Sequence, residues 1–160
     1  MDTRFFLLII PLVGLIFGFL LRKIAPEEVA PGRRYFLLLQ RTLLLLICLL
    51  LLWMSPFSLV SLLVFLVGFG LSFFLRVRFL YLGLVMLASL SMSLDIAFLI
   101  TSLTLLYSLP FGTQMKTKDP VRAVIFHAVL YFLPFLLLLM PVTLPPFFLA
   151  FVAGTLFLRE

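Results

Sequence analysis

An all-α bundle of about seven short membrane-spanning helices is the fold the sequence predicts, with the N-terminus outside and the C-terminus inside. Three observations predict it. Of 160 residues, 65% are apolar and 11% charged, with a mean hydropathy of +1.35, whereas about a quarter of residues are charged in a typical soluble domain. The apolar residues fall in runs near the length, about 17–25 residues, that lets an α-helix cross a hydrocarbon layer of roughly 30 Å. Short basic or Pro-rich breaks separate these runs, and the Lys and Arg residues gather in alternate breaks.

The chain reads as one transmembrane domain, 1–160, with spans at about 5–21, 35–54, 59–75, 79–94, 96–111, 121–140 and 144–158. The first run is too long for a signal-peptide core, and it is followed by Arg22 and Lys23 rather than by a small-residue cleavage site. Gly14 and Gly18 lie four apart within it, on one helix face, and are expected to let another helix approach closely. Pro11 removes one backbone hydrogen bond and predicts a kink.

The connection 22–34 carries six charged residues and two prolines and reads as a loop, with one short helical turn starting at Pro26. In the second span, Gln40 and Arg41 sit about one and a half turns in, where the Arg stem can return its charge to the headgroups. Trp53 is placed for an aromatic belt before the uncharged turn Ser55-Pro-Phe-Ser58. The third span ends at Arg76-Val-Arg78, a link short enough to demand adjacent antiparallel helices.

From 79 to 111 there are 33 residues with a single charge, Asp95. One helix of that length would reach about 50 Å, too long for the hydrocarbon layer. Two spans turning at Ser93-Leu-Asp95 fit instead, and Pro110 and Gly112 end the second of them. Asp119-Pro120 reads as an N-cap with Pro at the first helical position. The sixth span then carries His127, Tyr131 and Pro134. Pro141, Pro145 and Pro146 make the last turn before a short seventh span.

With seven spans, eleven of the twelve basic residues share one side and only Arg4 lies on the other, the distribution the positive-inside rule describes. Merging the fourth and fifth spans would destroy this agreement. Arg33, Arg34, Arg41, Arg76 and Arg78 are thereby expected to meet anionic headgroups or an acidic partner at the inner face of a cell membrane. The net charge of +6 is accounted for by this topology, so no nucleic-acid partner is expected.

The candidate polar path comprises Asp95, Ser91, Thr101, Thr104, His127 and Tyr131. Asp95 heads the group, because intramembrane acids mark functional sites by default; its alternative is a solvated helix cap. Ser91 and Asp95 share a face, as do Thr101, Thr104 and Ser108. The alternative for the hydroxyls is a bond to their own helix carbonyls. His127 and Tyr131 share a face of the sixth helix, with a proton relay as the functional reading and a backbone-bonded core His as the alternative.

With one His and one Cys, no zinc site of the usual kind is available within the chain, and neither a metal nor another cofactor is expected. Neither paired helical carboxylates nor a G-x-S-x-G, H-E-x-x-H or P-loop motif occurs, so no enzyme is expected. Two functions remain: a small transporter or channel for an ion or small solute, or a non-catalytic subunit or scaffold of a membrane complex. A chain this small can hardly enclose a solute path alone, which points to a homo-oligomer or a larger complex.

Overall fold

The computed structural model describes residues 3–74, 77–90, 92–114, 119–139, 144–145 and 147–156. Among these the chain forms α1 (Thr3–Ile24), α2 (Pro26–Met54), α3 (Leu59–Phe74), α4 (Arg78–Leu90), α5 (Leu94–Gln114), α6 (Pro120–Phe132) and α7 (Phe148–Thr155). A 3-10 segment, Leu133–Leu139, continues α6. No strand occurs among the described residues, so the protein is helical. Among the described residues three segments are long and apolar enough to cross a membrane: Phe6–Ile24, Pro31–Met54 and Leu94–Gln114. The apolar helices Leu59–Phe74, Arg78–Leu90 and Val121–Leu137 are shorter.

Several boundaries differ from the expected spans: α4 ends at Leu90 rather than 94 and α7 starts at Phe148 rather than 144, and two further differences involve proline. The expected loop 22–34 is mostly helix: α2 starts at Pro26 and runs through Pro31 for 29 residues, about 43 Å at 1.5 Å per residue. Pro at the first helical position sacrifices only a donor that would be unbonded there, and Glu27 and Glu28 complement the positive helix end. Pro31 removes one further donor, in a turn whose carboxylates and Arg33 and Arg34 are exposed.

Pro110 and Gly112 likewise lie inside α5 rather than ending it. The Thr113 hydroxyl turns back to the Pro110 carbonyl at 2.7 Å, and neighbouring helices bury this turn, which is how a membrane helix tolerates such residues. Pro134 does disturb its helix. It cannot donate to Leu130, and the chain tightens into the 3-10 form beside it.

Close approaches at glycine join the helices. Gly14 faces Leu105 and Ser108, while Gly18 faces Leu109 and Gly112. Ascending positions of α1 thus meet ascending positions of α5, and the two helices are parallel. A Cβ on Gly18 would strike the Leu109 carbonyl oxygen, and one on Gly112 would strike the Leu15 carbonyl oxygen. The pair is reciprocal, with backbone against backbone. Gly68 of α3 and Gly154 of α7 form a second reciprocal pair, against the carbonyls of Phe151 and Phe65.

The short helix α4 occupies the centre. Nine of its 13 residues are buried, and it touches α5, α6, α7 and the 3-10 segment. Phe79 meets Phe111 and Met86 meets Thr101, so α4 and α5 are antiparallel. Phe79 meets His127 and Gly83 meets Tyr131, so α4 and α6 are parallel. Tyr81 donates to the Leu71 carbonyl at 3.3 Å and ties α3 to α4.

Apolar side chains cover the outside. On α3 only Ser61, Gly68 and Ser72 are buried, while Leu62, Leu63, Leu66, Val67 and Phe69 are exposed. Only lipid or other apolar helices make such a surface favourable, because in water it would carry the full hydrophobic penalty.

Candidate functional site

The proposed polar path divides into three groups of residues with different surroundings. Asp95 is the second residue of α5 and is exposed. Its carboxylate stands in the first turn, where it complements the helix dipole. Ser93, not Asp95, precedes the helix. Ser91 lies outside the described residues.

The hydroxyl stripe of α5 is buried and bonded to its own helix. Thr101 donates to the Ala97 carbonyl at 2.7 Å, Thr104 to Ile100 at 2.7 Å and Ser108 to Thr104 at 2.8 Å. Each of these donors is consumed four residues back, a local bond that Ser and Thr side chains form readily within helices. Thr101 also approaches the Met86 sulfur at 4.0 Å. The stripe faces packed side chains and carries no donor free for a solute.

His127 sits in the middle of α6 in an aromatic box. Its ring centroid is 5.0 Å from Phe79, 5.3 Å from Phe111 and 5.7 Å from Phe126. The rings come from three helices, because Phe79 lies at the start of α4, Phe111 in the last turns of α5, and Phe126 adjoins His127. Nδ1 of His127 is buried with no hydrogen-bond partner among the described residues, and so is the hydroxyl of Tyr131 one turn later. The two therefore do not bond each other directly. The expected backbone-carbonyl partner is also missing at Nδ1.

Gln40 is the residue that sequence reading undervalued. It is 1% exposed, and neither its amide nitrogen nor its oxygen has a partner among the described residues. Its neighbour Arg41 is exposed, so the two adjacent polar side chains point to different environments. The available signal was an uncharged amide inside a Leu run, overshadowed by the charge beside it. Unmet polar groups in such a setting cost roughly 1–3 kcal/mol each.

Of the basic residues, Arg33, Arg34 and Arg122 are exposed, Arg78 is half-buried, and Arg76 lies outside the described residues. Among the described residues no three His, Cys, Asp or Glu side chains cluster in a way that could hold a metal ion. Cys48 is buried, with its sulfur 3.5 Å from the Ala153 carbonyl. The chain matches no protein-family model, no curated protein and no solved structure.

Proposed function

We propose that this chain is a non-catalytic subunit or scaffold of a membrane complex. In this reading it is a multi-pass protein of the cell membrane with seven spans, the N-terminus outside and the C-terminus inside. The helix directions support that topology. In an up-and-down chain α1 must parallel α5, and α4 must parallel α6, as their contacts have it. Arg22 and Lys23 then end α1, and Arg78 and Arg122 open α4 and α6, on one side. The basic side faces anionic headgroups or an acidic partner.

The observation that carries the subunit reading is the back-bonded α5 stripe. Its hydroxyls are spent on their own carbonyls, and the acid meant to head the path is exposed at a helix end, so the interior is suited to holding a shape. Gentle extraction followed by native mass spectrometry tests this. A stable complex with a different chain is expected; a homo-oligomer alone would overturn it.

The unmet polar groups of Gln40, His127 and Tyr131 favour a second reading, a transporter or channel for an ion or small solute. Solute flux in proteoliposomes that vanishes in both Gln40→Leu and His127→Phe would establish it. Flux that is absent in the wild type would dismiss it.

A further inference from the structure

We infer that the turn between α2 and α3 binds the ester segment of a bilayer glycerolipid, with the Ser55 hydroxyl donating to the ester carbonyl. The site arises from local sequence. Pro56 bars its predecessor from helical geometry, and Ser55 accordingly adopts φ −79°, ψ 140°. The chain leaves α2 there and restarts at Leu59, with Ser58 Oγ accepting from the Ser61 N–H at 3.1 Å.

A cavity of about 260 Å³ lies inside this corner, with Leu52, Leu62, Phe65 and Ala150 among its walls and Pro56 and Phe57 beside the turn. Its surface is almost wholly apolar, and among the described residues no charged side chain lines it. Of its hydroxyls, those of Ser58 and Ser61 pair at 3.0 Å. The Ser55 hydroxyl is different: the residue is only 7% exposed, it lines the cavity, and its oxygen is buried with no partner among the described residues.

The occupant follows from size, polarity and depth. An α-helix is about 10 Å across with side chains, so a partner helix does not fit. The volume falls just below the roughly 300–1,000 Å³ of drug-sized ligand pockets, which suits one alkyl chain segment. A phosphate would need cations that the walls lack, whereas an uncharged carbonyl needs one donor. Trp53 and Phe57, 85% and 99% exposed, flank the turn as interfacial aromatics do. That is the depth at which a glycerolipid carries its esters.

Ester binding at this turn is independent of the subunit reading. Purified protein is reconstituted with diacyl phosphatidylcholine or with its diether analogue of equal chain length, then delipidated and weighed intact by native mass spectrometry. The wild type should retain one diacyl lipid per protomer, and retain it roughly fivefold better than the diether, the worth of about one neutral hydrogen bond. Ser55→Ala should bring that ratio to about one while sparing the fold, and Ala150→Leu, which fills the cavity, should abolish retention. Equal retention of ester and ether by the wild type would overturn the assignment. So would an ester preference that survives Ser55→Ala, or complete loss of lipid from the wild type, which leaves water as the occupant. If Ala150→Leu does not fold, the Ser55→Ala ratio decides alone.

Discussion

Replacing Gly18 by Ala adds one methyl group at the closest point between α1 and α5. An ideal Cβ there collides with the Leu109 carbonyl oxygen and comes within 2.9 Å of Leu109 C and 3.1 Å of Gly112 Cα. All three are backbone atoms, so no rotamer change relieves the clash and the helices must part. A gap of about 0.5–1 Å forfeits a quarter to a half of the dispersion attraction between each pair of atoms it separates, and overpacking a tight core costs roughly 1–3 kcal/mol.

We therefore expect Gly18→Ala to destabilise the protein by about 1–3 kcal/mol, measured by reversible unfolding in mixed dodecyl maltoside and SDS micelles. Gly112→Ala meets the same interface from the other side and should cost a similar amount. Once one methyl has separated the helices the second is accommodated more cheaply, so the double variant should fall short of the sum by about 1 kcal/mol. Gly70→Ala is the control: a Cβ there meets nothing within 4 Å, and it should be neutral or stabilising. Agreement of Gly18→Ala with Gly70→Ala within about 0.5 kcal/mol, or simple addition of the Gly18 and Gly112 effects, would refute the close approach as the source of stability.

Four further outcomes are expected. Gln40→Leu removes two unmet polar atoms at similar volume and should stabilise by about 1–3 kcal/mol in the same micelles; a loss instead would mean that the amide holds a water or ligand. His127→Phe suits a box already built from Phe79, Phe111 and Phe126 and should leave thermal stability equal or higher, whereas a drop of more than about 1 kcal/mol would assign Nδ1 a structural partner. Asp95→Asn should shift stability by less than about 1 kcal/mol, the scale of an exposed charge on a helix dipole, and a larger loss would contradict its solvated setting. Cys48, the single cysteine, is 3% exposed and should resist a maleimide reagent until the bundle is opened by SDS, so rapid labelling in gentle detergent would show that α7 does not cover it.

Proline and glycine mark where sequence reading was least reliable. Pro31, Pro110 and Gly112 looked like breakers because each weakens an isolated helix. Within the bundle a proline removes only one backbone bond. The missing side chain of Gly112 is what admits α1, since a Cβ there would strike the Leu15 carbonyl oxygen. Gly14 and Gly18 were legible as a close-approach face from their spacing, but their partner was not. The small groups opposite them, Ser108 and Gly112, lie over 90 residues away in the chain.

The polar residues followed the same division. The sequence displayed which side chains were polar within apolar runs, and the spacing of Thr101, Thr104 and Ser108 placed them along α5. Whether those hydroxyls would serve a solute or their own carbonyls depended on side-chain torsions, which no spacing reports. Gln40 was visible as an anomaly, yet its isolation depends on what α2 packs against.

Sequence alone determined that this protein is helical and adapted to lipid, because hydropathy and run length are local properties that a bilayer reads segment by segment. It also located the breaks at 55–58 and just before Leu94, though not those expected at 22–34 and Pro110. Tertiary structure decided which helices meet, that the short α4 holds the centre, and that Asp95 stays at the surface. In lipid there is little hydrophobic preference between neighbouring helices, so pairing rests on the fit of two distant surfaces. Gly18 against Gly112 and Gly68 against Gly154 are such fits.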